Sequence, residues 1–225
     1  MKHSKVIIIV EGQTEEEFVN ESLRPWLNNH SIYDVRAIKI RTSQTGKGGS
    51  ANYQKFKNDV SRLLNQQNDV LITSLIDFFR LPTSFPGYEE ALRIPNVERR
   101  VEFLENALAE EINSERFLPY IQLHEFEALL FTRIAGFKAL PDLGLKEIAE
   151  IKTVMELYPN PELINDNPTT APSKRLEQIY PGYKKVLHGN FIILENTFQS
   201  LLEKCPRFRN WVANIVAKTK ALSSY

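Results

Sequence analysis

The sequence predicts an α/β fold: a mostly parallel central sheet flanked by helices, with a C-terminal helical extension. Three observations carry this. The first is a β-branched run next to the N-terminus, VIIIV, from Val6 to Val10, which stops at Glu11-Gly12. The second is a similar run further on, VLITSLID, which also ends in an acid, Asp77. Apolar runs of this length read as strands buried on both faces, as in sheets whose crossover helices cover both sides. The third is the alternation of helical patterns with these runs, followed by two amphipathic stretches at the end of the chain.

In chain order, Thr14 reads as a helix N-cap with Glu17 at the third helical position, a capping-box pattern that opens a helix over 14–28. Glu15, Glu16 and Glu17 complement its dipole. Val35, Ala37, Ile38 and Ile40 fit a strand over 33–40. The polar loop 41–50 sets Lys47 among Gly46, Gly48 and Gly49. Glycine lets a backbone approach a phosphate and lysine supplies charge, but the P-loop spacing is absent, and the stretch reads first as a flexible surface loop. Tyr53, Phe56, Val60, Leu63 and Leu64 share a face of a helix over 53–66. The strand Val70–Asp77 follows. Two parallel strands ending in Glu11 and Asp77 bring both carboxylates to one sheet edge, where ligands of open α/β sheets sit. Converging oxygens are what a divalent cation needs.

Phe78, Phe79, Leu81 and Phe85 lie in a stiff loop with Pro82, Pro86 and Gly87 and read as packed lid or minor core. Asn96 caps a helix over 96–113, and 117–122 reads as one further strand. It runs into His124-Glu125-Phe126-Glu127. The two glutamates diverge by about 200° on a helix but share a face on extended chain. One of Glu125 and Glu127 is expected in the site. An irregular connector and a helix over 145–158 come next. Pro159, Pro161, Pro168 and Pro172 then exclude a continued helix. The helix that opens at Ser173 carries Lys174 and Arg175, a candidate anion site. Helices over 191–204 and 207–220 close the chain, with Phe191, Ile192, Leu194, Phe198, Leu201 and Leu202 as a core face on the first. The organisation expected is a core over 1–158, with 159–225 packed on it as one structural unit.

The 225 residues carry 28 Lys and Arg against 28 Asp and Glu, so net charge is zero. That counts against tight metal-free binding of nucleic acid; local basic clusters or bound cations must do the work. One cysteine, Cys205, excludes an internal disulfide and argues against a zinc cluster. No apolar run approaches a membrane span, and the N-terminal run is too short for a signal peptide, so the cytoplasm is the expected compartment.

The string E-G-x-T-E after a buried strand resembles the first motif of the toprim domain, whose glutamate is an acid/base or metal-site residue; the match is Glu11, with Gly12 making the turn. Taken together, EGQTEEEF, LIDFFRLPTSFPG, HEFEALLF, INDNPTTAPSKRL and CPRFRNW resemble, over nearly the whole chain, a bacterial toprim-like family of unknown function. These are the RloB-like proteins, related to the toprim domains of OLD-family nucleases. Toprim domains have Asp-x-Asp where this chain has Asp77-Phe78-Phe79, a departure the RloB-like family shares. The resemblance implies a Mg²⁺- or Mn²⁺-dependent nuclease acting on nucleic acid with an ABC/SMC-type or AAA ATPase partner in phage defence. Glu11, Asp77 and Glu125 or Glu127 would hold the metal. Lys174 and Arg175 would stabilise charge on the phosphate, with Lys47 a looser candidate; Glu11, Asp77, Glu127 and Lys174 are the catalytic set. The rival reading is a catalytically degenerate regulatory or binding subunit of an ATPase complex, with the 78–85 loop as interface anchor.

Overall fold

A computed structural model describes residues 5–39, 50–79, 81–164 and 169–223. The strands are β1 (Lys5–Val10), β2 (Val35–Lys39), β3 (Val70–Asp77), β4 (Phe117–Leu118) and β5 (Ile121–Gln122). The α-helices are α1 (Gln13–Phe18), α2 (Arg24–Asn28), α3 (Ser50–Gln66), α4 (Tyr88–Ala91), α5 (Val97–Ile112), α6 (Ile134–Lys138), α7 (Leu145–Leu157), α8 (Pro172–Ile179), α9 (Lys185–Asn196), α10 (Phe198–Lys204) and α11 (Pro206–Ser223). A π-helical turn, Val19–Leu23, joins α1 to α2, and 3₁₀ turns form at Phe126–Thr132 and Pro161–Leu163.

The sheet runs β2-β1-β3-β4 with β5 also on β3, and every pairing is parallel. Residues of β1 alternate between two cores because successive side chains point to opposite faces. Val6, Ile8 and Val10 pack with Phe18, Phe126, Phe208 and Trp211; Ile7 and Ile9 pack with Phe56, Val60 and Leu104 of α3 and α5. Both faces are covered, which is why the run is apolar at every position.

Several elements differ from the sequence reading, each for a local reason. The first helix starts at Gln13, not Thr14. Gly12 is its N-cap and Glu15 sits at the third position, where Glu15 Oε2 accepts the Gly12 N–H at 3.0 Å. The strand expected over 117–122 is two short strands, because Pro119 has no N–H to donate. The Ser74 hydroxyl fills the gap: it donates to Tyr120 O at 3.0 Å and accepts Tyr120 N–H at 2.9 Å. The helix expected over 191–204 breaks at Thr197, whose φ is +63°. Asn196 at the break is fully buried; Oδ1 accepts from Gly136 N at 3.1 Å and Nδ2 donates to Leu130 O at 2.6 Å. Phe191 and Leu194 are 46 % and 49 % exposed, so they are not core. The connector after the 3₁₀ turn contains α6. Asn96 does cap α5, accepting from Arg99 N at 2.9 Å, and Leu81 and Phe85 are buried with α3 and α5. Ile40 and the glycine loop with Lys47 lie outside the described residues.

The C-terminal helix is tied to the sheet by polar contacts. Trp211 Nε1 donates to Thr73 Oγ1 at 2.7 Å, and that hydroxyl donates to Leu118 O at 2.6 Å. The Trp211 ring stacks on Tyr120 at 4.6 Å between centroids. Glu162, fully buried, accepts Arg207 N–H at 2.9 Å and Phe208 N–H at 3.0 Å at the start of α11. This carboxylate lies just beyond the prolines Pro159 and Pro161 and satisfies helix-end donors that water cannot reach. Glu162→Ala leaves those donors buried without acceptors, so it is expected to lower stability by about 2 kcal/mol or more, read from the urea midpoint at unchanged slope. A loss below about 0.5 kcal/mol would remove Glu162 from this role.

Candidate active site

The site begins with strand ends. In β1 and β3, Val10 pairs with Leu75, so the acids Glu11 and Asp77 emerge at the same sheet edge, one register step apart. β5 pairs Gln122 with Asp77, and its chain then turns sharply: His124 has a φ of +66°. Phe78 N–H donates to Gln122 O at 2.9 Å and Phe79 N–H to His124 O at 2.8 Å, which pins the two strand ends together. Glu125 is extended and Glu127 lies in the 3₁₀ turn that follows. The extended residue removes the divergence that a continuous helix would impose.

Together these form a cleft of about 270 Å³ lined by Glu11, Gly12, Thr14, Glu15, Asp77, Phe79, Glu125, Glu127 and Lys185. Five carboxylates face it, against one cation among the described residues. Donors from the described residues reach Asp77, Glu125, Glu15 and Glu127. Asp77 Oδ1 accepts Phe126 N–H at 2.9 Å. Glu125 accepts Ser173 N–H and Ser173 Oγ, each at 3.0 Å. Glu15 holds Gly12 N–H, and a side chain at Gly12 would crowd that contact, since a Cβ there lies 2.8 Å from Glu15 Oε2. Glu127, 2 % exposed, is paired with Lys185 Nζ at 2.8 Å.

The electrostatics follow from this crowding. Desolvation in the cleft, with Glu11, Glu15, Glu127 and Glu125 around it, pushes the Asp77 carboxyl well above its ordinary 3.8. Burial raises Glu15 too, with Glu127 adding and Lys185 subtracting. Burial works against the charge of Lys185, yet Glu127 outweighs it and the ammonium is held above its ordinary value. Tyr183 packs beside the same acids; burial, Glu127 and Glu125 push its phenol upward, and its buried hydroxyl has no hydrogen-bond partner.

The structure therefore brings Glu11, Asp77, Glu125 and Glu127 into one cleft, both glutamates of the pair included. It does not bring Lys174 or Arg175 there. Lys174 Nζ pairs with Glu177 at 2.6 Å on the surface; Arg175 donates to Thr170 O at 2.8 Å and lies over the Tyr158 ring. The start of α8 does bind an anion, but the anion is Glu125. The turn role expected of Gly12 becomes that of an extended N-cap with a φ of −132°. Sequence reasoning passed over Glu15 and Lys185. Glu15 was legible as the third residue after a glycine cap. Lys185 was not, because nothing local marks it; its meaning comes from Glu127, 58 residues away.

The donor set suits a hard divalent cation in kind: oxygen ligands and a surplus of negative charge. It is not drawn in around one. Among the described residues, no three His, Cys, Asp or Glu side chains converge closely enough to hold a metal ion as they stand. Asp77 Oδ2 makes no hydrogen bond with the described residues, whereas Glu125 has both oxygens occupied.

No helix among the described residues is long and apolar enough to cross a membrane. None of the curated proteins compared matches the chain. Among solved structures, the chain is similar to the C-terminal region of the Burkholderia pseudomallei OLD protein, at 13 % identity and a TM-score of 0.48, over 98 % of this chain and 100 % of that one. It is also similar to the C-terminal region of the Xanthomonas campestris pv. campestris OLD protein, at 15 % identity and a TM-score of 0.43, over 99 % and 98 %. The profile of one family, described as a domain of unknown function, DUF4276, matches residues 10–215, and the chain belongs to that family.

Proposed function

We propose that the acidic cleft catalyses divalent-metal-dependent phosphodiester hydrolysis of nucleic acid, as a toprim-like nuclease of the RloB-like kind. The observation that supports this reading is the meeting of Glu11, Asp77, Glu125 and Glu127 at the carboxyl edge of a parallel sheet. A phosphodiester is an anion, and five carboxylates repel it. Bound Mg²⁺ or Mn²⁺ would offset that repulsion, polarise the phosphate and lower the pKa of a water. Glu11 and Asp77 are the primary candidates to hold it, because Asp77 keeps one oxygen for a ligand while Phe126 N–H fixes the other. Glu127 joins them once its carboxylate is released. Glu125, bound by Ser173, serves to orient the 3₁₀ turn that carries Glu127. Lys185 takes the place in the cleft that the sequence reading assigned to Lys174. An ATPase partner and a role in phage defence within the cytoplasm accompany this reading, on the sequence resemblance.

One observation favours the second reading, a regulatory or binding subunit. Phe79 lines the cleft at the position where toprim domains have a second acid.

Titration of Mg²⁺ or Mn²⁺ into the protein with labelled DNA and RNA separates the two. Under the nuclease reading the wild type cleaves, and Glu11→Ala and Asp77→Ala each lose at least about a hundredfold. Lys174→Ala is expected to stay within about threefold, since Lys174 lies outside the cleft. Metal binding or its absence with no cleavage of any substrate, partner ATPase included, would favour the regulatory subunit.

The carboxylate crowding has a consequence for stability. The folded protein keeps a proton on Asp77 in a range where the unfolded chain has released it, from about 3.8 up to the raised folded value. Stability linked to this group is full below 3.8 and is lost as pH rises through the folded value. Asp77→Asn removes the charge and keeps an oxygen for Phe126 N–H. In metal-free buffer it is expected to raise Tm by about 3 °C or more at neutral pH, with the gain vanishing toward acid. A Tm that falls at neutral pH would contradict the crowding.

A further inference from the structure

Lys185 is an odd residue for its place in the chain. It opens α9, whose first turn contains no acid to offset it. A cation at a helix N-terminus meets the positive end of the dipole, which disfavours it. Its compensation is tertiary, the 2.8 Å contact with Glu127 Oε1 across the cleft. The two partners are unlike. The Glu127 side chain is 3 % exposed, and the Lys185 side chain is 48 % exposed.

The backbone below Lys185 is anchored. Lys184 N–H donates to His188 Nδ1 at 3.0 Å, which closes the first turn of α9. Asn190 Nδ2 donates to Glu17 Oε2, which ties α9 to α1. Gly189 leaves room for Tyr183, whose hydroxyl would lie 3.2 Å from a Cβ at that position. A fixed backbone with a flexible, half-exposed four-carbon stem lets the ammonium swing into solvent without moving α9.

A divalent cation sits 2.0–2.6 Å from its carboxylate oxygens. On Glu127 it would share Oε1 with an ammonium already in hydrogen-bond contact. Both are positive, so they repel one another and compete for that oxygen. Glu127 is turned toward Lys185 in this arrangement.

We infer that Lys185 is the resident counter-ion of the acidic cleft, and that it must leave Glu127 before a divalent cation can bind there. This rests on the metal-site reading proposed above. Lys185 neutralises part of the acidic cluster in the metal-free protein and competes with the metal for Glu127. It thereby sets the metal concentration at which the site fills.

The test is Mn²⁺ binding, measured by titration calorimetry without nucleic acid, on the full chain. Lys185→Met is expected to bind Mn²⁺ at least about tenfold more tightly than wild type, because a nearby positive charge is gone. Its metal-free Tm is expected to be lower, and its rise on adding Mn²⁺ larger. Lys185→Arg keeps the charge and is expected to stay within about threefold of wild type. Lys185→Gln, a polar substitute should the methionine variant fold poorly, is expected to follow Lys185→Met. Equal or weaker Mn²⁺ binding by the neutral variants, with wild type binding, overturns the inference and leaves the metal-site reading standing. No Mn²⁺ binding by wild type or any variant overturns both.

Discussion

Repulsion among carboxylates at one sheet edge is the constraint that most of the surrounding structure answers. Glu11, Glu15, Asp77, Glu125 and Glu127 share a cleft, and like charges at close range in a desolvated site are costly. The chain offsets this with donors that include Gly12 N–H, Phe126 N–H, Ser173 and Lys185. Two of these donors lie in the C-terminal third of the sequence. The cleft is therefore also a clasp. It holds the starts of α8 and α9 against the ends of β1, β3 and β5, and the same contacts that stabilise the acids position the helices.

Away from the cleft, a second polar network ties α11 to the sheet beneath it. Glu162 receives the first donors of α11, and Glu105 accepts Ile121 N–H and Arg207 Nη2, each at 2.8 Å. Ser74 serves both the N–H and the carbonyl of Tyr120 beside Pro119, and Trp211 is tied to Leu118 O through the Thr73 hydroxyl. These partners satisfy buried polar groups that would otherwise carry a full desolvation penalty. Beyond β5 the chain turns at His124, and that turn delivers Glu125 and Glu127 to the edge where Asp77 ends.

Much of this was legible in the residues. VIIIV is apolar throughout, and VLITSLI apart from Thr73 and Ser74, because both faces of their strands are covered. The apolar face of α3 was readable from its helical spacing, and Asn96 marked the cap of α5. Less legible were positions decided by long-range partners. Asn196 breaks the α9–α10 path because it is drawn to Gly136 and Leu130. Phe191 and Leu194 fit a core stripe on paper, but α9 buries the face that carries His188, Gly189, Ile192, Ile193 and Asn196. Ser173-Lys174-Arg175 looked like an anion site; the anion proved to be a side chain of this protein, and the basic residues point elsewhere.

By itself, then, the sequence determined the parallel sheet and the meeting of Glu11 and Asp77 at its carboxyl edge. Both follow from local rules: apolar runs set the strands, and the first polar residue after each run falls at the same edge when the strands are parallel. Only the tertiary structure decided which further side chains complete the cleft. Glu125 and Glu127 both enter because one residue stays extended before the 3₁₀ turn. Lys174 stays out and Lys185 comes in because α9 docks on α1 through Glu17 and Asn190. A side chain's charge is written in the sequence, but its field falls off within ångströms, so its effect depends on neighbours that only folding supplies.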